Sequence, residues 1–253
     1  MAINVSLQEG HFDWDISMLT NAPSLSMLNS ALGLEWAISK SWGGWSQATT
    51  SKQPIVRTNA LNGNRVLTFD GVDDYIQASS NYVHRSIFFV YRFKNTSSIT
   101  SLAKKWFFGH PTSYHYHPKA DTSTAIGDSA HMHANLKHAG GIRIDGGNAF
   151  NPTSANWTND TNFHIAVFEA TGNVEAQRLG GFDRTIARYA DVEIAELFGF
   201  SEPMNESDRL KMEGNSAHKY GLTSNLVSTH WYKNIKPLSK MLFWGNEAFS
   251  SVA

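Results

Sequence analysis

The sequence contains no cysteine among its 253 residues, and it carries no excess of charge of either sign. Without cysteine, neither a disulfide framework nor thiolate chemistry is available to the chain. The 21 Lys and Arg residues are balanced by 22 Asp and Glu residues, which leaves a formal net charge of -1. Because nucleic-acid binding requires clustered positive charge, we predict that the protein has no nucleic-acid partner.

Long apolar runs are also missing from the sequence. No stretch approaches the roughly 20 consecutive apolar residues that a membrane-spanning helix needs, so we predict no membrane insertion. Residues 1–10 show neither the basic segment nor the apolar segment of a secretory signal peptide. We therefore expect a protein that is made in the cytoplasm and leaves the cell, if at all, by a route other than the general secretory one.

Aromatic residues are abundant, at 12% of the chain, and they suit a sheet sandwich in which large rings fill the space between layers. The segment Ser86–Phe93 is a continuous run of β-branched and aromatic residues, which predicts a central strand that is covered on both faces. Shorter alternating or apolar segments predict further strands at His11–Ile16, Pro54–Arg57, Arg65–Phe69, Tyr75–Ala78, Leu102–Phe108, Gly141–Asp145, Phe163–Glu169, Ala187–Tyr189 and Asp191–Phe200.

Two segments carry helix signals. Residues 23–33 begin with proline, place leucines on one face and end with glycine. In the second segment Asn205 precedes an acidic first turn, and Gly221 is placed to end the helix. The sequence therefore predicts a mostly β protein with one or two short helices.

Three ordered segments resemble the laminin-G-like jelly-roll modules of the concanavalin superfamily. They are residues 53–76, with the string NGNRVLTFDGVDDYI, residues 194–200, with IAELFGF, and residues 205–222, which end in AHKYGL. The resemblance spans about residues 11–222. It implies an all-β fold, a two-layer antiparallel β-sandwich of the concanavalin-like jelly-roll type. We expect residues 1–222 to form this domain, and residues 223–253 to form a C-terminal arm that packs on the domain or on a partner subunit.

The family includes adhesins, lectin-like modules, phage virion proteins and domains fused to glycan enzymes, so the fold alone does not fix the function. The resemblance implies a non-enzymatic structural or adhesive protein, displayed on a phage virion as a capsid decoration, tail or fibre component or found outside the cell. Its expected partners are other virion proteins or its own subunits, in a homo-oligomer joined through the arm. The alternative is a lectin-like carbohydrate-binding module or a glycan-active enzyme.

The acidic string nearest to a glycan-hydrolase strand is Asp191-Val192-Glu193-Ile194-Ala195-Glu196. Glycoside hydrolysis needs paired carboxylates that face one cleft. In a regular strand Asp191 and Glu193 share a face, whereas Glu196 falls on the opposite face. We therefore predict no catalytic residue.

The turn that contains Asp70, Asp73 and Asp74 crowds carboxylates into a short loop. Oxygen ligands at this density can bind calcium. The simpler interpretation is a tight turn in which glycine permits the backbone angle and aspartate accepts from nearby amides. Both interpretations stay open at this stage.

Histidine is concentrated in one region, where five of the 11 histidines lie between positions 115 and 138. His115 and His117 form one i, i+2 pair, and His131 and His133 form another. On adjacent strands two such pairs could hold a transition-metal ion. The alternative is a polar loop whose histidines serve hydrogen bonding or surface recognition.

The same region interleaves aromatic residues, which stack on sugar rings or simply fill a core. A rim that binds cell-surface glycans is one interpretation, and hydrophobic packing is the other. The candidate ligand-binding residues are Trp106, Tyr114, His115, Tyr116, His117, His131 and His133.

Overall fold

The computed structural model describes residues 12–15, 45–95, 108–110, 113–116, 132–153, 160–183, 187–200 and 202–237. The strands are β1 Phe12–Asp15, β2 Trp45–Ser46, β3 Ile55–Leu61, β4 Asn64–Thr68, β5 Ile76–Phe93, β6 Phe108–His110, β7 Ser113–Tyr116, β8 Ile142–Ile144, β9 His164–Leu179, β10 Gly181–Asp183, β11 Ala187–Tyr189 and β12 Val192–Phe200, and the α-helix is α1 Glu206–Tyr220. The helix predicted at residues 23–33 lies outside the described residues. Within the described ranges, no helix is both long and apolar enough to cross a membrane.

Ten of the strands form one antiparallel sheet, in which β3, β4, β12, β5, β9, β6 and β7 follow one another. Strands β1, β2 and β8 join this sheet by pairing with β12, β5 and β9. Strands β10 and β11 form a separate antiparallel hairpin. The curled antiparallel sheet with a single described helix confirms the predicted all-β sandwich class.

The two longest strands, β5 and β9, pair along most of their length and form the centre of the sheet. Their register shifts between Gln77 and Tyr82 and again between His84 and Ser86. Irregularities of this kind in a ladder bend a strand and let it curl. Residues 86–91 of β5 are at most 1% exposed, which confirms the prediction of a central strand that is covered on both faces.

The two faces of β5 belong to two separate hydrophobic clusters, because successive side chains of a strand point in opposite directions. Ile87, Phe89 and Tyr91 lie in the larger cluster, between the curled layers of the sheet. Phe88 and Val90 lie in the second cluster, together with α1 residues that include Met212, Ala217 and Tyr220. Helix α1 therefore covers the outer face of the sheet.

Helix α1 begins and ends where the sequence predicts. The side chain of Asn205 accepts a hydrogen bond from the Asp208 amide at 2.9 Å, which satisfies one free amide of the first turn. Gly221 adopts a left-handed conformation with φ 71° and ends the helix.

The chain that follows α1 folds back onto the helix. Leu222 and Leu226 are buried in the cluster under α1. The His218 ring nitrogen Nε2 lies 3.0 Å from the carbonyl of Tyr232, and a side chain at Gly214 would collide with Tyr232. Residues 223–237, the part of the predicted arm that the structure describes, thus pack on helix α1.

Candidate functional site

The described residues place only part of the predicted histidine and aromatic site. The backbone of Tyr114, His115 and Tyr116 lies on β7, the last strand in the order of the sheet. His133 lies in another part of the chain, where its Nδ1 accepts from the Asn135 amide at 3.2 Å. Trp106, His117 and His131 lie outside the described residues. The predicted transition-metal site and glycan rim therefore stay predictions.

The Asp70 turn brings together the three carboxylates that the sequence singles out. One ligand oxygen from each of Asp70, Asp73 and Asp74 lies within 4.8 Å of the others. Asp70 Oδ1 accepts from the amides of Val72, Asp73 and Asp74 at 2.8, 3.2 and 3.4 Å. These hydrogen bonds are those of the turn interpretation.

Burial and the neighbouring charge of Asp70 raise the pKa of Asp74 to about 6. The Asp74 side chain is held in place, because its Oδ2 accepts from the Asp70 amide at 2.9 Å. The ionised carboxylates therefore repel one another, and a bound divalent cation would reduce this repulsion.

The pairing of β12 with β5 contradicts the prediction that Glu193 and Glu196 lie on opposite faces of the sheet. Glu193 lies opposite Arg92 and Glu196 lies opposite Val90, and a bulge at Ala195 accounts for the extra residue. Arg92 and Val90 are two positions apart on β5, so the two glutamates share the outer face. The parity argument was wrong because alternation in the sequence does not show an inserted residue.

The carboxylates of Asp191, Glu193 and Glu196 nevertheless form ion pairs with basic residues of the same chain. Glu193 is fully buried and pairs with Arg92 at 2.8 Å and with Arg57. Glu196 is 3% exposed and pairs with Lys219 at 3.1 Å. The third carboxylate, Asp191, forms an ion pair with Lys94 at 2.8 Å and accepts from the Asn95 side chain at 2.6 Å.

A second group of buried charges joins helix α1 to the arm. Glu213 Oε2 accepts from Arg209 at 2.7 Å and lies 3.1 Å from His230 Nε2. All three residues are at most 5% exposed. This network is a structural attachment, because none of its groups faces solvent.

A histidine that the sequence does not single out bridges two loops at the start of β9. His164 Nδ1 lies 2.6 Å from Asp145, and its Nε2 lies 2.9 Å from Asp160. Burial lowers the pKa of His164, but the two carboxylates outweigh it, so the pKa is raised overall. The sequence gives no signal for this bridge, since Asp145 lies 19 positions from the histidine.

Arg178, near the end of β9, is a buried charged residue that the sequence does not single out. The residue is 8% exposed, and its Nε and one terminal nitrogen donate to Gln77 Oε1 at 3.1 and 2.6 Å. Its guanidinium carbon lies 4.3 Å from the centroid of the Tyr75 ring. The other terminal nitrogen, Nη1, exposes less than 1 Å² and has no hydrogen-bond partner.

Comparisons with protein family models, with curated proteins and with solved structures find no match for this chain. The resemblance to laminin-G-like modules therefore stays a prediction drawn from the sequence.

Proposed function

We propose that this chain is a non-enzymatic adhesive or structural domain, displayed on a virion, that joins further copies of itself through its arm. The observation that carries the proposal is Trp231, which is 75% exposed. Ile235 is 68% exposed and Val227 is 37% exposed, so three apolar side chains reach solvent within nine residues of the arm. Exposed apolar side chains that lie close together mark protein interfaces, and these three fall within one short segment of the arm.

The arm presents Trp231 from a fixed position. The preceding residue, His230, is buried against Glu213, and the Tyr232 amide donates to His230 Nδ1 at 3.2 Å. A side chain held in place before binding loses less conformational entropy when it binds, and tryptophan is among the residues that contribute most at interfaces. A repeated virion component binds copies of itself, so a second copy of the chain is the partner to which we commit.

The occupation of the β12 carboxylates supports the non-enzymatic part of the proposal. Glu193 and Glu196 are buried and ion-paired, so neither is free to protonate or attack a glycosidic bond. The acidic strand that most resembles a hydrolase strand thus has a structural use.

The experiment is a measurement of molar mass by light scattering over a range of concentrations. We expect the full-length chain to associate and Trp231→Ser to stay monomeric at the same concentrations. Val72→Ser is the matched control, since Val72 is 67% exposed in the Asp70 turn, and it should associate like the wild type. A wild type that is monomeric at about 100 µM, near the weak end of specific affinities, would contradict the proposal.

Glycan recognition is the second candidate function. The observation that favours it is the position of Tyr114, His115 and Tyr116 on β7, the last strand in the described order of the sheet. Binding on a glycan array that is lost in Tyr116→Ala, with association through the arm unchanged, would support this candidate. Equal binding by the variant would contradict it.

A further inference from the structure

His164 joins the segment that follows β8 to the segment that precedes β9. It is the first residue of β9, and its ring lies between the carboxylates of Asp145 and Asp160. Nδ1 lies 2.6 Å from Asp145 Oδ2, and Nε2 lies 2.9 Å from Asp160 Oδ1. Because the histidine is 9% exposed, the loss of either partner would leave a ring nitrogen with little access to water.

The contacts at both nitrogens require a doubly protonated ring. An ionised carboxylate only accepts hydrogen bonds, and a neutral imidazole has a single N–H to donate. Burial raises the pKa of Asp160, but hydrogen bonds from His164 and from the Asn162 amide outweigh burial, so the pKa is lowered overall. The carboxylate of Asp145 also accepts from the Ile165 amide, at 2.9 Å. Both hydrogen bonds to the ring therefore form only when the ring is an imidazolium.

The other titratable and charged groups near the ring do not replace these two carboxylates. On β5, Tyr91 lies opposite the histidine in the register. Burial raises the pKa of this phenol, and the two carboxylates raise it further, so it stays neutral. The next residue of β5, Arg92, pairs with Glu193 at 2.8 Å. On the arm, His230 packs against the segment after β8 and lies 3.1 Å from Glu213.

The two carboxylates differ in their access to water. The side chain of Asp145 is 12% exposed, whereas that of Asp160 is 42% exposed. When the ring loses one proton, one of its two hydrogen bonds is lost. Water can solvate Asp160 after this loss, but it cannot reach Asp145 to the same degree, and a buried acceptor without its donor is costly. The last proton therefore stays on Nδ1, between the ring and Asp145.

We propose that Asp145, His164 and Asp160 form a pH-sensitive latch, which holds Asp160 while the ring is an imidazolium and releases it when Nε2 loses its proton. Asp145 stays bonded to the ring in both states. The arm contacts this residue through its backbone, where the Asp145 carbonyl accepts from the Val227 amide at 3.2 Å. The latch therefore does not depend on self-association through the arm.

The direction of the pH dependence follows from the surroundings of the ring. Burial lowers the pKa of His164 from its ordinary value of 6.5, but the two carboxylates outweigh burial and raise the pKa overall. The folded protein thus holds this proton more tightly than the unfolded chain. The stability that the latch contributes is complete below about pH 6.5 and is lost as the pH rises through the raised pKa.

The test is a nitrogen-15 NMR titration of the His164 ring in the full-length chain, between about pH 5 and pH 9. The signals are assigned by their absence in His164→Gln. We expect both ring nitrogens to be protonated at pH 6.5, the ring to titrate above pH 6.5, and the neutral ring to keep its proton on Nδ1. A ring that titrates at or below pH 6.5, or a neutral ring with its proton on Nε2, overturns the proposal.

Asp160→Asn separates a latch from a bond that is merely structural. The new amide can donate to an unprotonated Nε2 while Nδ1–H still donates to Asp145, so the ring can bridge both segments when it is neutral. We expect the variant to lower the pKa of His164 and to remove the part of the pH dependence of unfolding that the latch supplies. An unchanged pKa of His164 in this variant overturns the proposal.

Glu175→Gln is the matched control, because Glu175 is an exposed acid of the same strand that accepts from the Asn81 side chain at 3.2 Å. His164 should titrate in this control as it does in the wild type. If Asp160→Asn does not fold, the titration of the wild type decides alone. The light-scattering measurement decides self-association separately, since it depends on Trp231 and not on the protonation of His164.

Discussion

Buried charges under helix α1 form ion pairs, whereas Arg178 at the end of β9 forms no ion pair with the described residues. Under the helix, Glu196 pairs with Lys219, and Glu213 pairs with Arg209 and His230. At the end of β9, Arg178 is 8% exposed, and its printed contacts among the described residues are the neutral side chain of Gln77 and the ring of Tyr75. The difference separates buried charges that are neutralised by an opposite charge from a buried charge whose described neighbours are neutral.

Glu213→Gln should produce the largest loss of stability, because it removes the buried carboxylate that pairs with Arg209 at 2.7 Å and lies 3.1 Å from His230 Nε2. The side chain of Arg209 is 6% exposed and that of His230 is fully buried. Removing one member of a buried pair costs about 3–5 kcal/mol, and we expect a loss of about 3 kcal/mol in the free energy of unfolding, measured by urea denaturation.

Glu206→Gln is the control for that variant. Glu206 lies 3.7 Å from the same arginine but is 81% exposed, and exposed ion pairs contribute about 0–1 kcal/mol. Equal losses of unfolding free energy in Glu213→Gln and Glu206→Gln would contradict the prediction that burial sets the cost of losing the ion pair.

Glu193→Gln should cost less, about 2 kcal/mol, although Glu193 is fully buried. Its partners Arg57 and Arg92 are 51% and 32% exposed, so water can solvate them when the carboxylate is lost. The measurement is again urea denaturation, with the exposed residue Glu202 changed to glutamine as the control. A loss larger than that of Glu213→Gln would show that solvent access to the partners does not set the cost.

Arg178→Met should change the free energy of unfolding by less than about 1 kcal/mol. The variant loses the hydrogen bonds to Gln77 and the contact with Tyr75, but it also removes an unpaired buried charge, and the two effects offset each other. A loss of about 3 kcal/mol, the value typical of a broken buried pair, would mean that Arg178 fastens the fold like Arg209.

Asp74 is a buried carboxylate, and the cost of burying its negative charge can be measured as a pH dependence of stability. Its pKa is raised from 3.8 to about 6 by burial and by Asp70, so the folded protein holds this proton more tightly than the unfolded chain. Its contribution to stability is complete below about pH 3.8 and is lost as the pH rises through about 6. Asp74→Asn should remove this part of the pH dependence, which thermal unfolding between pH 3.5 and 7 would measure; an unchanged profile would contradict the assignment.

The smallest expected effect is that of calcium on the Asp70 turn. If the three carboxylates bind the ion, the melting temperature at pH 7.5 should rise by about 2 °C in excess calcium, and Asp73→Asn should abolish the rise. An equal rise with the variant would point to binding elsewhere.

The sequence predicts well what depends on local pattern. The apolar run of Ser86–Phe93 identifies the centre of the sheet, and the cap at Asn205 and the glycine at Gly221 mark the ends of helix α1. It does not predict features that depend on a single inserted residue or on distant pairing. The bulge at Ala195 reverses the face of Glu196, and the contacts of Arg178 with Gln77 and Tyr75 join residues about 100 positions apart.

The two register shifts between β5 and β9 divide their long ladder into three parts, an inner part, a middle part at residues 82–84 and an outer part. Residues 86–91 form the inner part, and Ile76 and Gln77, which pair with Leu179 and Arg178, belong to the outer part. Proteins open in cooperative units that are smaller than the whole fold. We therefore expect two classes of amide hydrogen exchange, with the inner amides exchanging only through global unfolding. The outer amides should exchange faster, through local separation of β5 from the end of β9 while the rest of the sheet stays folded.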